Sequence, residues 1–325
     1  MRIQSILLVI LLLIVFSIYA QDKGRVRSDR IRLNQIGFYP QAPKVAIIVN
    51  TTAVEFYITK VGSSKRVYSG KLSTPMQSEF STNLTRTADF TAFQKPGTFV
   101  LNVPGEGYSY PFEIAESVHD AVMKASLKGF YFQRLSTALP ERYAGKWARP
   151  FSHPDNRVAV HPSAASSLRP AGTLLVSSKG WIDAGDYNKY IVNSGITMGT
   201  LLAAYEDFPE YFNKQLINIP ESENTIPDLL DEVLWNLRWM LTMQDPQDGG
   251  VYHKCTNAKF DQMVMPQAAT TQRYVVQKGT AATLDFAAVM AQASRVFKKY
   301  AKELPGLSDS CLRAAENAWQ WASTN

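Results

Sequence analysis

Two carboxylates stand close together in Asp183-Ala184-Gly185-Asp186-Tyr187, with a glycine between them and aromatic residues on both sides. At this spacing both can face one cleft. An ionised carboxylate there could take a proton from water. The longer run Gly180-Trp181-Ile182-Asp183-Ala184-Gly185-Asp186-Tyr187-Asn188-Lys189-Tyr190 leads from a loop into an apolar, helix-like segment. An Asp near a helix N-terminus is favoured in its ionised form by the exposed N–H groups, which suits a base. Trp181, Tyr187 and Tyr190 are side chains of the kind that stack on sugar rings. The string also has a plain explanation, since an Asp ahead of a helix is most often a cap. By themselves the residues leave both readings open.

Other chemistry-bearing residues are sparse. His253 follows Gly249-Gly250-Val251-Tyr252 and fits either a groove wall or a structural position. Trp235 and Trp239, four apart on one helical segment, read as core rather than as a sugar platform. Cys255 and Cys311 match no zinc spacing; they are either two buried thiols or one disulfide.

The elements that must position these residues fall into two blocks. From about 30 to 115, short runs such as Lys44-Val45-Ala46-Ile47-Ile48-Val49, Val54-Glu55-Phe56-Tyr57-Ile58-Thr59 and Gly97-Thr98-Phe99-Val100-Leu101-Asn102-Val103 are rich in β-branched and aromatic residues. Turn formers separate them, and the spacing predicts a β-sandwich. From 117 onward the apolar period becomes helical. The pattern predicts helices over Val118 to Leu135, Tyr187 to Phe208, Pro227 to Gln244, Thr280 to Tyr300 and Leu307 to Ser323, with no strand pattern among them. The last of these runs to the C-terminal Asn325 without a cap, which reads as an interrupted domain.

Composition narrows the class. The chain has 325 residues, 46% hydrophobic and 19% charged, enough for a sizeable core and more than one domain. The net charge of +6 is scattered rather than gathered in a stripe with aromatics, so nucleic acid is not an expected partner. Arg2 and the apolar run Ile6 to Phe16 have the layout of a signal peptide over 1–20, with cleavage after Ala20. Ile18 is bulky for that site, which keeps an uncleaved anchor as the alternative. The run is short for a membrane span, so no stable span is expected after cleavage. The expected destination is the periplasm or the outside of the cell.

The string Asp183-Ala184-Gly185-Asp186-Tyr187-Asn188-Lys189-Tyr190 resembles the signature of glycoside hydrolase family 9, the inverting cellulases. Ile226-Pro227-Asp228-Leu229-Leu230-Asp231-Glu232-Val233, Met243-Gln244 and Asp248-Gly249-Gly250-Val251-Tyr252-His253-Lys254 resemble segments that follow it there. Arg32-Leu33-Asn34-Gln35-Ile36-Gly37-Phe38 and the strands after it resemble the immunoglobulin-like domain that often precedes the family's catalytic domain. The resemblance implies a multidomain chain: an immunoglobulin-like β-sandwich over 30–115, then the N-terminal part of an all-α (α/α)6 barrel over 117–325, incomplete in this chain. It implies cleavage of β-1,4-glucan, with Asp186 as general base and Asp183 holding the same water. Trp181, Tyr187 and His253 would bind the polysaccharide.

Inversion requires a protonated acid across the bond, with the carboxyl groups roughly 6.5–9.5 Å apart. The family's acid is a late Glu with no counterpart here; Glu232 and Glu303 do not match its position. Some relatives bind zinc through Cys and His, but the matching stretches read Arg134-Leu135-Ser136 and Phe151-Ser152-His153, so zinc is not expected. Calcium is common in the family, with its acidic ligands expected beyond Asn325. Two rival readings stand: another (α/α)6 glycan-active enzyme, such as a lyase, and a catalytically inactive glycan-binding fragment.

Overall fold

The computed structural model describes residues 26–325, so the signal-peptide expectation lies outside the described residues. The chain divides into two compact units, one ending at Ala121 and the other spanning Val122–Asn325. The first unit is built from short strands. Its strands are β1 (Ile31–Arg32), β2 (Val45–Val49), β3 (Glu55–Lys60), β4 (Arg66–Lys71), β5 (Met76–Gln77), β6 (Leu84–Asp89), β7 (Gly97–Val103), β8 (Gly107–Tyr108) and β9 (Phe112–Ile114). They form two antiparallel sheets, ordered β1-β2-β6-β5 and β4-β3-β7-β8, with β9 added to β7. Ala46 and Ile48 of β2 and Phe56 and Ile58 of β3 point inward, the period of two expected of half-buried strands. Phe38, Phe90, Phe99 and Phe112 fill the space between, with Phe38 edge-on to Phe90 at 5.3 Å.

The second unit holds α1 (Asp120–Phe132), which begins at its border, then α2 (Glu141–Ala144), α3 (Ile191–Asp207), α4 (Pro209–Phe212), α5 (Asp228–Thr242), α6 (Thr280–Phe297) and α7 (Leu307–Ala322). Helices α3 and α6 run parallel. Near their starts Gly195 lies against Asp285, and near their ends Glu206 pairs with Arg295 at 2.6 Å. A Cβ at Gly195 would lie 1.6 Å from Asp285 Oδ2, so only glycine admits this approach. Helix α7 returns antiparallel to α6; Thr280 Oγ1, at the start of α6, donates to the carbonyl of Asn325 just past the end of α7.

Two expectations are corrected here. A five-stranded sheet does lie among the helices, in the order β11 (Leu174–Leu175), β10 (Val158–Val160), β14 (Arg273–Val275), β13 (Lys254–Asn257), β12 (Lys189–Tyr190). Its strands are two to four residues long, and β10 is buried along its whole length, so no alternation marks it in the sequence. The helix expected from Tyr187 starts at Ile191 instead, because Lys189 and Tyr190 pair with Cys255 and Lys254 as β12 and β13. Both cysteines are free and buried, so the disulfide reading is not realised.

Candidate active site

The Asp183–Tyr187 segment is a loop clamped at both ends. Before it, Trp181 bridges to Arg134; after it, β12 joins the sheet. A turn closes between them, with the Tyr187 N–H donating to the carbonyl of Ala184 at 3.1 Å. Neither Asp caps a helix. The N-cap of α3 is Tyr190, without a side-chain cap bond, so the helix-end account of the two carboxylates gives way to a loop held by its own neighbours.

Those neighbours are specific. Asp186, half-buried, accepts from the Tyr190 hydroxyl at 2.8 Å and the Asn188 side-chain amide at 3.0 Å, both on Oδ2. The Asn188 N–H approaches Oδ1 at 3.3 Å. Tyr190, read from sequence as a stacking ring, thus also uses its hydroxyl to orient the carboxylate. Burial first, then that bond to Asp186, pushes the Tyr190 phenol up to about 12, so it stays a donor at neutral pH. Asp183 is exposed and accepts from the Asn193 amide at 2.6 Å. Both carboxylates therefore keep acceptor capacity beyond these bonds, and Asp183 is open to solvent. Asp183 and Tyr190 border an open cleft shared with Phe130, Gln133 and Asn193.

Behind the loop lies a buried ionic anchor that sequence reasoning missed. Lys189, fully buried, places its ammonium 2.7 Å from Asp155 and donates to the carbonyls of Ser177 at 2.7 Å and Lys179 at 2.8 Å. Burial draws its pKa down while the Asp155 carboxylate opposes that pull. Arg273 pairs with the other Asp155 oxygen at 3.1 Å and donates to the carbonyl of Tyr187 at 2.7 Å. Gly180 makes room for this packing, since a Cβ there would meet Trp239 at 2.8 Å and Lys189 at 2.9 Å. Ser136, His153, Asp155 and Tyr187 all take positive φ, between 45° and 58°, a conformation that non-glycine residues adopt at a cost. The one sequence signal for this anchor was a lysine two residues from an apolar helix, too common a feature to stand out.

The remaining expected residues sort by exposure. Trp181 is 4% exposed; its indole N–H donates to Glu232 at 2.9 Å and its ring packs on Phe130 at 4.8 Å. Tyr187 is 8% exposed, beside His153, with its hydroxyl bonded to the carbonyl of Val264. Burial leaves these two little face for a sugar, and the geometry gives them to holding the loop. The backbone carbonyl of His253 accepts from the first N–H of α3 at 3.1 Å; its ring is half-buried, which lowers its pKa. Glu232 is locked by Arg134 at 2.8 Å and by Trp181, so it has no freedom to serve as an acid. Trp239 is core, donating to Ser177 Oγ at 3.1 Å.

The residues present do not fit zinc. Ser136 Oγ is engaged as a donor to the carbonyl of His153 at 2.7 Å and as an acceptor from the Lys179 N–H at 2.9 Å, so the position of an expected thiolate is a hydroxyl already satisfied. Among the described residues no group of three or more His, Cys, Asp or Glu side chains comes together that could hold a metal ion.

Residues 119–325 match the sequence profile of glycosyl hydrolase family 9, and residues 26–108 match that of the cellulase N-terminal ig-like domain. The chain is 51% identical over 297 residues to a xyloglucan-specific endo-beta-1,4-glucanase of Bacteroides ovatus, covering 91% of this chain and 50% of that protein. It is 36% identical to endoglucanase D of Acetivibrio thermocellus, covering 92% of this chain and 46% of the relative. A solved structure of a Bacteroides ovatus GH9 protein superposes with a TM-score of 0.88 at 51% identity, over 92% of this chain and 54% of that one. The chain therefore spans about half the length of the curated relatives it matches. Its helical unit is part of an (α/α)6 barrel, preceded by an immunoglobulin-like sandwich.

Proposed function

The chain belongs to glycosyl hydrolase family 9, and from that premise we propose that the whole protein hydrolyses β-1,4-glucosidic bonds in a β-glucan with inversion at the cut sugar. The observation that carries this reading is the Asp186 carboxylate. It is half-buried, oriented by Tyr190 and Asn188, and keeps acceptor capacity beyond those bonds, while its loop runs directly into the buried Lys189. A base that must take a proton from water needs this combination of fixed direction and free lone pairs. Asp183, held by Asn193 and one short turn away, supplies a second acceptor for the same water. The water then attacks the anomeric carbon as a separate acid protonates the departing oxygen. We place that acid beyond these 325 residues, since Glu232 is committed to Arg134 and Trp181.

The relationship to a xyloglucan-specific protein favours xyloglucan as the β-glucan cut. We further propose that the apolar run Ile6 to Phe16 directs export, which would bring the enzyme to such polymers. Among the described residues no helix is long and apolar enough to cross a membrane. Release of reducing ends from xyloglucan and carboxymethyl cellulose tests the reading, comparing the 325-residue chain with a form continued through the downstream reading frame. Activity of the longer form on either polymer, lost with Asp186→Ala, supports it; an active 325-residue chain overturns the placement of the acid.

A further inference from the structure

The loop 258–266 presents an apolar surface beside Asp186. Phe260 is 64% exposed, Met263 is fully exposed and Met265 is 56% exposed. Single exposed apolar side chains are ordinary; four within six residues, Val264 included, on a loop tied to a polar site, are not. The tie is direct. The Tyr187 hydroxyl donates to the carbonyl of Val264, and the Asn257 amide donates to Asp261 and to Thr271 Oγ1, the latter at 3.3 Å. The Asn257 N–H in turn bonds to the side-chain oxygen of Asn188, whose amide holds Asp186. The loop's place is thereby fixed relative to the base.

Lys254 connects the two. It sits opposite Tyr190 in the β12–β13 register, and its ammonium lies 5.2 Å from the centre of the Tyr190 ring and 6.0 Å from that of Phe260. The Phe260 ring is thus no farther from the Tyr190 ring than those two distances together, and Tyr190 touches Asp186. An exposed aromatic ring with an ammonium 6.0 Å from its centre matches one ligand chemistry closely. The C–H face of a pyranose covers the ring, while the ammonium donates to the sugar's hydroxyls.

We propose that Phe260 and Lys254 form a sugar-binding subsite, with Phe260 as the stacking platform for a glucosyl unit adjacent to the one being cut. The proposal rests on the β-glucan reading above and adds to it the residue that grips the chain outside the reacting centre. Because the subsite grips a sugar next to the reacting one and touches no reacting atom, it acts on substrate binding.

The test uses the form continued through the downstream reading frame, as wild type, Phe260→Ala, Phe260→Tyr and Asp186→Ala. Cellohexaose binding is measured by calorimetry, and its hydrolysis by initial rates. Phe260→Ala should raise Kd and KM about tenfold, a loss of about 1.4 kcal/mol, with kcat within about twofold and the melting temperature unchanged. Phe260→Tyr should restore both constants. Unchanged Kd and KM in Phe260→Ala, with Asp186→Ala inactive, would overturn the subsite and leave the hydrolase reading standing. No hydrolysis of cellohexaose by the wild type would overturn that reading, and a fully active Asp186→Ala would overturn Asp186 as its base, while the Kd comparison would still decide the subsite. A fall in kcat with KM unchanged, or a lowered melting temperature, would assign Phe260 to support of the loop and also overturn the proposal.

Discussion

Replacing Lys189 by Met should loosen the whole candidate site, and by an amount that can be worked out. The ammonium makes one ion pair at 2.7 Å and two bonds to carbonyls at 2.7 and 2.8 Å, with no access to water. Methionine fills nearly the same volume but strands the Ser177 and Lys179 carbonyls and leaves Asp155 with Arg273 alone. Removing one partner of a buried pair costs about 3–5 kcal/mol, chiefly because the remaining groups stay buried without compensation. For a unit the size of Val122–Asn325, each kcal/mol lowers Tm by about 2–4 °C, so the shift should be roughly 6–20 °C. Differential scanning calorimetry of the variant reads this directly. Lys254→Met, at a side chain with access to solvent, is the comparison and should change stability by less than about 0.5 kcal/mol. A Lys189→Met loss below about 1 kcal/mol would show that the ammonium does not hold the loop, and the anchoring argument would be wrong.

Three further outcomes follow from the same geometry. Gly195→Ala should destabilise by about 1–3 kcal/mol despite alanine's better helix propensity, and Asp285→Ala in the same chain should recover most of it; a neutral Gly195→Ala in a denaturant titration would refute the close approach. Burial and then Arg273 pull the His153 pKa down from 6.5 to about 4. The unfolded chain therefore binds a proton that the folded one refuses, and this residue's contribution makes stability fall as pH drops from about 6.5 to about 4. Asp231, raised to about 7, and Asp285, raised to about 6, both chiefly by burial, act in the opposite sense, so the informative quantity is the difference between the two curves: from about pH 4 to about pH 6.5, stability should rise less, or fall more, with increasing pH in His153→Gln than in the wild type. Finally, Asp186→Asn should lower the Tyr190 phenol pKa, followed by NMR of labelled tyrosine; an unchanged value would mean that the hydroxyl does not donate to Asp186.

How much of this could be read from the sequence differs by element. The sandwich was legible because its strands are long enough to alternate, as Val45–Val49 and Glu55–Lys60 do. Helices α5, α6 and α7 were legible to within a few residues from their apolar period. The second sheet was not, because strands such as Lys189–Tyr190 carry too few residues for any period, and long-range pairing decides their state. The same pairing moved the start of α3 and removed the helix-cap account of Asp183 and Asp186. The two carboxylates themselves were found from their spacing and surroundings. Their holders were only half visible: Asn188 and Tyr190 lie in the same string, but Asp155 and Arg273 are brought to Lys189 by the fold alone. Trp181 and Tyr187 show the converse error, since an aromatic near a polar motif can stack on a sugar or on the protein, and burial chose the protein.

The central claim is that Asp186 is the base of an inverting hydrolysis. Proton NMR of cellohexaose cleavage by the longer form, followed from the first minutes, tests it most directly. The account predicts that the α-anomer of the new reducing end appears first and that Asp186→Ala stops its formation, while Asp183→Ala slows it. First appearance of the β-anomer, or unaltered cleavage by Asp186→Ala, would contradict it.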